Sequence, residues 1–153
     1  MLSKIKLISI SIFIPLFIGI IGTLLSNTAA GYKTLNNPSF APPGFVFPIA
    51  WTILYILMGI SSYIIYTSND KNKKKALTLY TIQLIVNSLW TFFFFNLGLL
   101  LFSFWWILLM IVLVISMIYS FYKINPIAAY LQIPYIIWLM FAAFLNYNIY
   151  LLN

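Results

Sequence analysis

The stretch LLLFSFWWILLMIVLVISMIYSFY, Leu99 to Tyr122, decides the fold. It runs 24 residues without a formal charge. A helix of about 20 apolar residues is enough to cross the roughly 30 Å hydrocarbon core of a bilayer. Four other stretches are equally free of charge: Leu7–Ser26, Phe45–Ser68, Ala76–Gly98 and Ile124–Asn153. They are apolar all round rather than along one face, as expected of helices surrounded by lipid. Composition agrees, since 64% of the 153 residues are hydrophobic and only 6% are charged. A soluble domain of this size carries charge at about a quarter of its positions, so a soluble fold and intrinsic disorder are both excluded. The expected fold is an all-α integral membrane protein, a single domain over residues 1–153. Five transmembrane helices are expected over about 5–26, 45–68, 76–97, 99–122 and 126–151, with a long loop between the first and second.

The segments between the spans carry the remaining signals. Asn69–Lys75 separates the second span from the third, and Asn96-Leu97-Gly98 forms a tight turn before the fourth. Asn125 is placed to cap the fifth helix, with Pro126 at its first position. Lys4, Lys6, Lys71, Lys73, Lys74, Lys75 and Lys123 fall on one side of the membrane and Lys33 alone on the other. This asymmetry predicts a cytoplasmic N-terminus and an external C-terminus, in the inner membrane of a cell that has two. It also accounts for the net charge of +7 without nucleic acid, because there is no basic groove pattern and no Arg. Met1–Ala30 looks like a leader, but its apolar run of 20 residues exceeds the usual core of a cleaved signal and predicts a retained helix. The connection Asn27–Gly44 contains Pro38, Pro42 and Pro43, which stiffen it and suit either a shaped lid or a plain linker.

The inventory of side chains removes most chemistry. There is no Cys, hence no disulfide, thiolate or iron–sulfur ligand, and no His to titrate near neutrality or bind a metal. Asp70 is the only acid, so no carboxylate pair exists for hydrolysis or proton coupling. No metal site and no resident cofactor are expected.

Depth along the helices, at about 1.5 Å per residue, sorts the aromatic residues. Trp51, Trp90, Trp105 and Trp106 lie about 9 Å beneath the lysine-poor surface, and Trp138 about 20 Å beneath it. An aromatic belt accounts for Trp105 and Trp106. A mid-membrane Trp138 instead calls for a partner for its indole N–H inside the bundle. Gln83, Asn87 and Thr91 form one stripe, Trp51, Tyr55 and Gly59 a second, and Pro134, Trp138, Ala142 and Asn146 a third. The amides either join helices or line a cavity. A cavity of this kind suits a flat, conjugated, hydrophobic ligand held by stacking, and, without axial ligands, a metal-free tetrapyrrole best.

The stretches Asn37-Pro-Ser-Phe-Ala-Pro-Pro-Gly44, Pro48–Gly59, Leu79–Trp90 and Ala128–Tyr147 resemble the tryptophan-rich sensory protein / translocator protein (TspO) family over nearly the whole chain. The resemblance implies a five-helix bundle that binds porphyrins, notably protoporphyrin IX, beneath the first loop. The family's pocket positions match Tyr32, Pro42, Phe47, Trp51, Tyr55, Asn87, Trp90, Ile107, Trp138, Ala142 and Leu145. Some bacterial relatives are reported to degrade protoporphyrin IX in light and oxygen, and the two tryptophans implicated match Trp51 and Trp138. Carriage of porphyrin or another small hydrophobic molecule across the membrane is a further reading.

Departures from the family pattern also carry information. Phe40 stands where Trp is common, and no basic residue follows Tyr147 to complete the sterol-recognition pattern of animal members. Relatives often form homodimers, in some cases through small residues of the third helix. Here the small residues are instead on the first helix, Gly19 with Thr23 and Gly22 with Ser26. Membrane lipids are the remaining expected partner.

Overall fold

A computed structural model describes residues 3–153, with the side chain of Ala29 left out. Met1 and Leu2 of the leader-like segment lie outside the described residues. The elements are α1 (Lys4–Leu25), α2 (Thr28–Thr34), α3 (Val46–Thr67), α4 (Lys73–Thr91), α5 (Leu100–Ile124), α6 (Pro126–Tyr130) and α7 (Ile133–Leu152). Among the described residues five spans are long and apolar enough to cross a membrane: α1, α3, α4 with its extension to Asn96, α5, and α6 with α7. The expected boundaries agree to within a few residues.

Three features depart from the five uniform rods the sequence suggests. First, the long loop is partly helical: α2 takes up Thr28–Thr34, and the proline-bearing segment Leu35–Phe45 remains irregular. Second, α4 widens at its end into a π-helical turn, Phe92–Asn96, closed by Leu97 N–H donating to the Phe92 carbonyl at 3.2 Å. Third, the last span breaks at Leu131–Gln132, just before Pro134, whose missing N–H suits it to the first turn of α7. The Gln132 N–H bonds to Ala129, and the Ser61 hydroxyl donates to the Ala128 carbonyl at 2.6 Å. Thus α3 satisfies a group that the break releases from the helical ladder. By contrast, the local capping rules hold. Asn125 accepts from the N–H groups of Ile127 and Ala128 with Pro126 at the first position, and Gly98 takes a φ of 63° in the turn after Asn96.

α5 packs between α4 and α7 and also meets α6, while α1 lies against α3 and α4. The buried residues of α5 are Ser103, Ile107, Met110, Val114, Met117 and Phe121, a seam with alternating spacings of four and three. Lipid tails are as apolar as these side chains, so close packing and polar bonds hold the spans together rather than withdrawal from water. The small residues of α1 serve that packing. Gly19 lies against the Tyr55 ring and Gly22 against Ser88 and Thr91, so both glycines face the bundle's own helices. The closest approach of one helix backbone to another at these glycines is at Gly59 of α3, where a Cβ would collide with the backbone of Ile12 and stand 2.7 Å from the Ser11 carbonyl.

Backbone cannot yield there as a flexible side chain could. Gly59→Ala is therefore expected to cost about 1–3 kcal/mol and lower the thermal midpoint in detergent, as checked by a tryptophan-fluorescence melt. Gly22→Ala meets only ordinary contact distances, at 3.6 Å and beyond, and should leave the midpoint nearly unchanged.

Candidate functional site

The lysine-poor end of the bundle gathers the aromatic residues. On α3, Trp51 stacks on Tyr55 with ring centroids 5.4 Å apart and meets Tyr135 of α7 edge-on at 6.1 Å. Phe47, one turn before Trp51, meets Trp138 of α7 at 6.0 Å and Tyr32 of α2 at 5.0 Å. Trp138 also lies 5.6 Å from Phe141. The Tyr32 hydroxyl donates to the Pro42 carbonyl at 2.8 Å, tying α2 to the stiff segment above the rings. Burial pushes the Tyr32 phenol above its usual value, so at neutral pH it remains a hydroxyl able to donate.

Trp90 forms the second half of the site. It stacks on Phe94 at 4.9 Å, and its indole N–H donates to Asn146 Oδ1 at 3.2 Å. Asn146 Nδ2 in turn donates to the Leu100 carbonyl at 2.8 Å. Leu145, Phe94 and Ile149 are buried together here, against Leu35 and Ala41 of the lid and against Phe47 and Trp90. Ile107 and Ala142 belong to the adjoining main core, Ile107 fully buried and Ala142 at its margin. Asn87, only 4% exposed, has its amide beside the Tyr55 and Tyr135 hydroxyls. The Tyr135 hydroxyl donates to Gln83 Oε1 at 2.8 Å. Asn87 Nδ2 and Gln83 Nε2 are buried with no hydrogen-bond partner among the described residues.

Of the eleven positions named from the sequence, ring contacts and hydrogen bonds join Tyr32 with Pro42 and Phe47, Phe47 with Trp138, and Trp51 with Tyr55. Leu145 lies in one cluster with Phe47 and Trp90, and Ile107 and Ala142 lie in the main core. Two expectations, the indole partner of Trp138 and the open cavity, need correction. The tryptophans divide as the belt reading separates them: Trp51 and Trp90 pack on the core, Trp105 is 61% exposed, and Trp106 donates to the Val86 carbonyl at 2.7 Å while packing on Phe93. Asn146, the amide on the Trp138 stripe, serves the indole of Trp90, and Trp138 is held by the rings of Phe47 and Phe141. The rings also touch one another, so the box is closed by its own side chains. Two clefts lie elsewhere, one between α1, α3 and α4 and one at the lysine-rich end.

Some contributors escaped the sequence reading. Tyr135 lies three residues before Trp138, a helical neighbour spacing that could have drawn it in. The lid's attachment had no such signal. Asn36 N–H donates to Asn153 Oδ1 and Asn153 Nδ2 donates back to the Asn36 carbonyl, each at 3.0 Å across 117 positions. A second clasp joins the α1–α2 elbow to the π-helical turn. Asn96 Oδ1 accepts from Asn27 N–H at 3.0 Å and Asn96 Nδ2 donates to the Leu25 carbonyl at 2.9 Å.

Together these features define a five-span membrane protein with an aromatic box under a tethered lid. The sequence profile described as the TspO/MBR family matches residues 11–152, and the chain belongs to that family. Protein CrtK of Rhodobacter capsulatus is 34% identical over 137 residues, covering 88% of this chain and 85% of that protein. Tryptophan-rich protein TspO of Chlorobaculum tepidum is 32% identical over 154 residues and covers 98% of both. The human translocator protein is 34% identical over 126 residues, covering 78% of this chain and 72% of its own length.

Replacing Asn146 by Leu removes both of its interhelical bonds and leaves the indole N–H of Trp90 unpaired. The expected loss is about 1–2 kcal/mol of unfolding free energy in detergent, together with a shift in Trp90 emission measured against a Trp90→Phe reference. A hydrogen-exchange comparison of Asn153→Ala, which removes both bonds to the Asn36 backbone, with the parent should show faster exchange confined to the lid, residues 35–45.

Proposed function

We propose that the protein is a membrane receptor for porphyrins such as protoporphyrin IX and related planar hydrophobic molecules, acting in tetrapyrrole sensing or disposal. The observation that carries this reading is the run of aromatic contacts Tyr32–Phe47–Trp138 and Tyr135–Trp51–Tyr55, which joins three elements beneath one lid. Offset and edge-on ring contacts are each worth about 0.5–1.5 kcal/mol, and a macrocycle sliding between the rings exchanges them for contacts of the same kind over a larger face. The free amide N–H groups of Asn87 and Gln83 suit an acceptor on such a ligand. The family relationship supports the same reading. On this reading the lysine-rich end is cytoplasmic and the lid external, following the lysine asymmetry.

Purified protein titrated with protoporphyrin IX in detergent should show saturable quenching of tryptophan fluorescence. Trp51→Phe and Trp138→Phe, which keep the aromatic bulk and lose the indole, should each weaken binding several-fold. Unchanged affinity in both would refute the site.

Light-driven degradation is a second reading, favoured by the position of Trp51 and Trp138, each only partly buried and each touching rings of the same box. An excited porphyrin would supply the chemistry and the protein the orientation. Under illumination in air, the porphyrin band should fade faster with wild type than with the Trp51→Phe/Trp138→Phe double variant. Equal fading in the two would mean that the pigment bleaches itself.

A further inference from the structure

At the lysine-rich end, the start of α4 and the end of α5 enclose a cleft of about 230 Å³ lined by Asn72, Lys75, Ala76, Tyr119, Ser120, Lys123 and Ile124. It holds two ammonium groups and no carboxylate. Lys123 Nζ sits over the Tyr119 ring, 4.5 Å from its centroid, so the ring holds that ammonium at the cleft without neutralising it. Two neighbouring charges are committed elsewhere. Lys73 Nζ donates to the Ser68 and Tyr66 carbonyls at 2.8 and 3.2 Å and closes the end of α3, while Asp70 Oδ1 accepts the Asn72 N–H at 2.7 Å.

The donors around the cleft are equally unspent. Asn72 stands at the N-cap of α4, yet its side chain makes no capping bond. Its side-chain amide is therefore open to an acceptor, while its backbone N–H is taken by Asp70. Ser120 adds a hydroxyl, buried Ala76 lies at the base, and Tyr119 and Ile124 give one flank an apolar surface. An oxyanion joined to an apolar body fits this combination better than a small free ion, which would leave the apolar flank uncovered.

We propose that this cleft binds the phosphate of an anionic phospholipid, with Lys75 and Lys123 as its charge partners and Tyr119 and Ile124 along the glycerol and first methylenes. Basic pockets between membrane helices recognise anionic headgroups in this way. The site is separate from the aromatic box, at the opposite end of α4 and α5, so it stands whether or not the box takes a porphyrin.

Native mass spectrometry of the full chain, released from detergent containing equal amounts of phosphatidylglycerol and phosphatidylcholine, tests the assignment. The wild type should retain phosphatidylglycerol in preference. Lys75→Gln/Lys123→Gln should lower that affinity by about thirty-fold, on the basis of the usual contribution of a lysine near an anionic surface. Lys75→Arg/Lys123→Arg should restore it, and Lys71→Gln/Lys74→Gln, which removes two charges outside the cleft, should change it little. No preference in the wild type, retention by the Gln double variant, or equal loss in the Lys71/Lys74 control would overturn the proposal. Displacement of the lipid by millimolar inorganic phosphate would overturn it as well, by identifying the site as one for the free anion.

Discussion

Asn146 carries the constraint on which the site depends. Its carboxamide accepts from Trp90 and donates to the Leu100 carbonyl, so one side chain of α7 is bonded at once to α4 and to the start of α5. In hydrocarbon there is no water to take over either bond, and an amide that turned outward would stand unsatisfied. Trp90 is held inward as a result. Asn87, three residues earlier, is buried on that same inward side. Tyr135 then reaches Gln83, one turn further along α4. A short polar chain thus aligns α4 with α7, and the aromatic side chains of α3 and α7 close over it.

The two ends of the bundle are held in different ways. At the lysine-poor end asparagines do the joining: Asn96 holds the α1–α2 elbow, and Asn36 with Asn153 clasps the lid to the end of α7. The π-helical turn belongs to this arrangement. Phe95 within it packs against Gly31 of α2, and Asn96 at its end reaches the elbow. Such turns recur at functional positions in helices, since the extra residue redirects the side chains that follow. At the lysine-rich end, by contrast, an ammonium closes α3 and two others border an open cleft.

Much of this was legible in the sequence because the deciding signal is one-dimensional. A charge-free run long enough to cross a membrane is the same run whichever way its helix is rotated, so Leu99–Tyr122 and its four companions identify the spans. The Asn125-Pro126 start and the Gly98 turn were readable for a similar reason, being set by residues adjacent in the chain. Rotation about the helix axis was not readable. Spans apolar on every side give no contrast by which to choose an inward face, so depth grouped Trp105 with Trp51 although one is exposed to lipid and the other packs on the core. The helix within the loop and the break before Pro134 were also hidden. Each accompanies contacts between residues distant in sequence, Asn27 with Asn96 and Ser61 with Ala128. Gly19 and Gly22 could have served an inner or an outer contact, and only the packing against Tyr55 and Thr91 distinguishes them.

The central claim is that the inward indoles of α3 and α7, under the tethered lid, form the surface on which a planar ligand stacks. A structure determined with metal-free protoporphyrin IX bound tests it most directly. The account predicts the macrocycle between Trp51 and Trp138, beneath residues 35–45, with an acceptor turned towards Asn87. A macrocycle lying on the lipid-facing side against Trp105, with the Phe47–Trp138 and Trp51–Tyr135 contacts undisturbed, would contradict it.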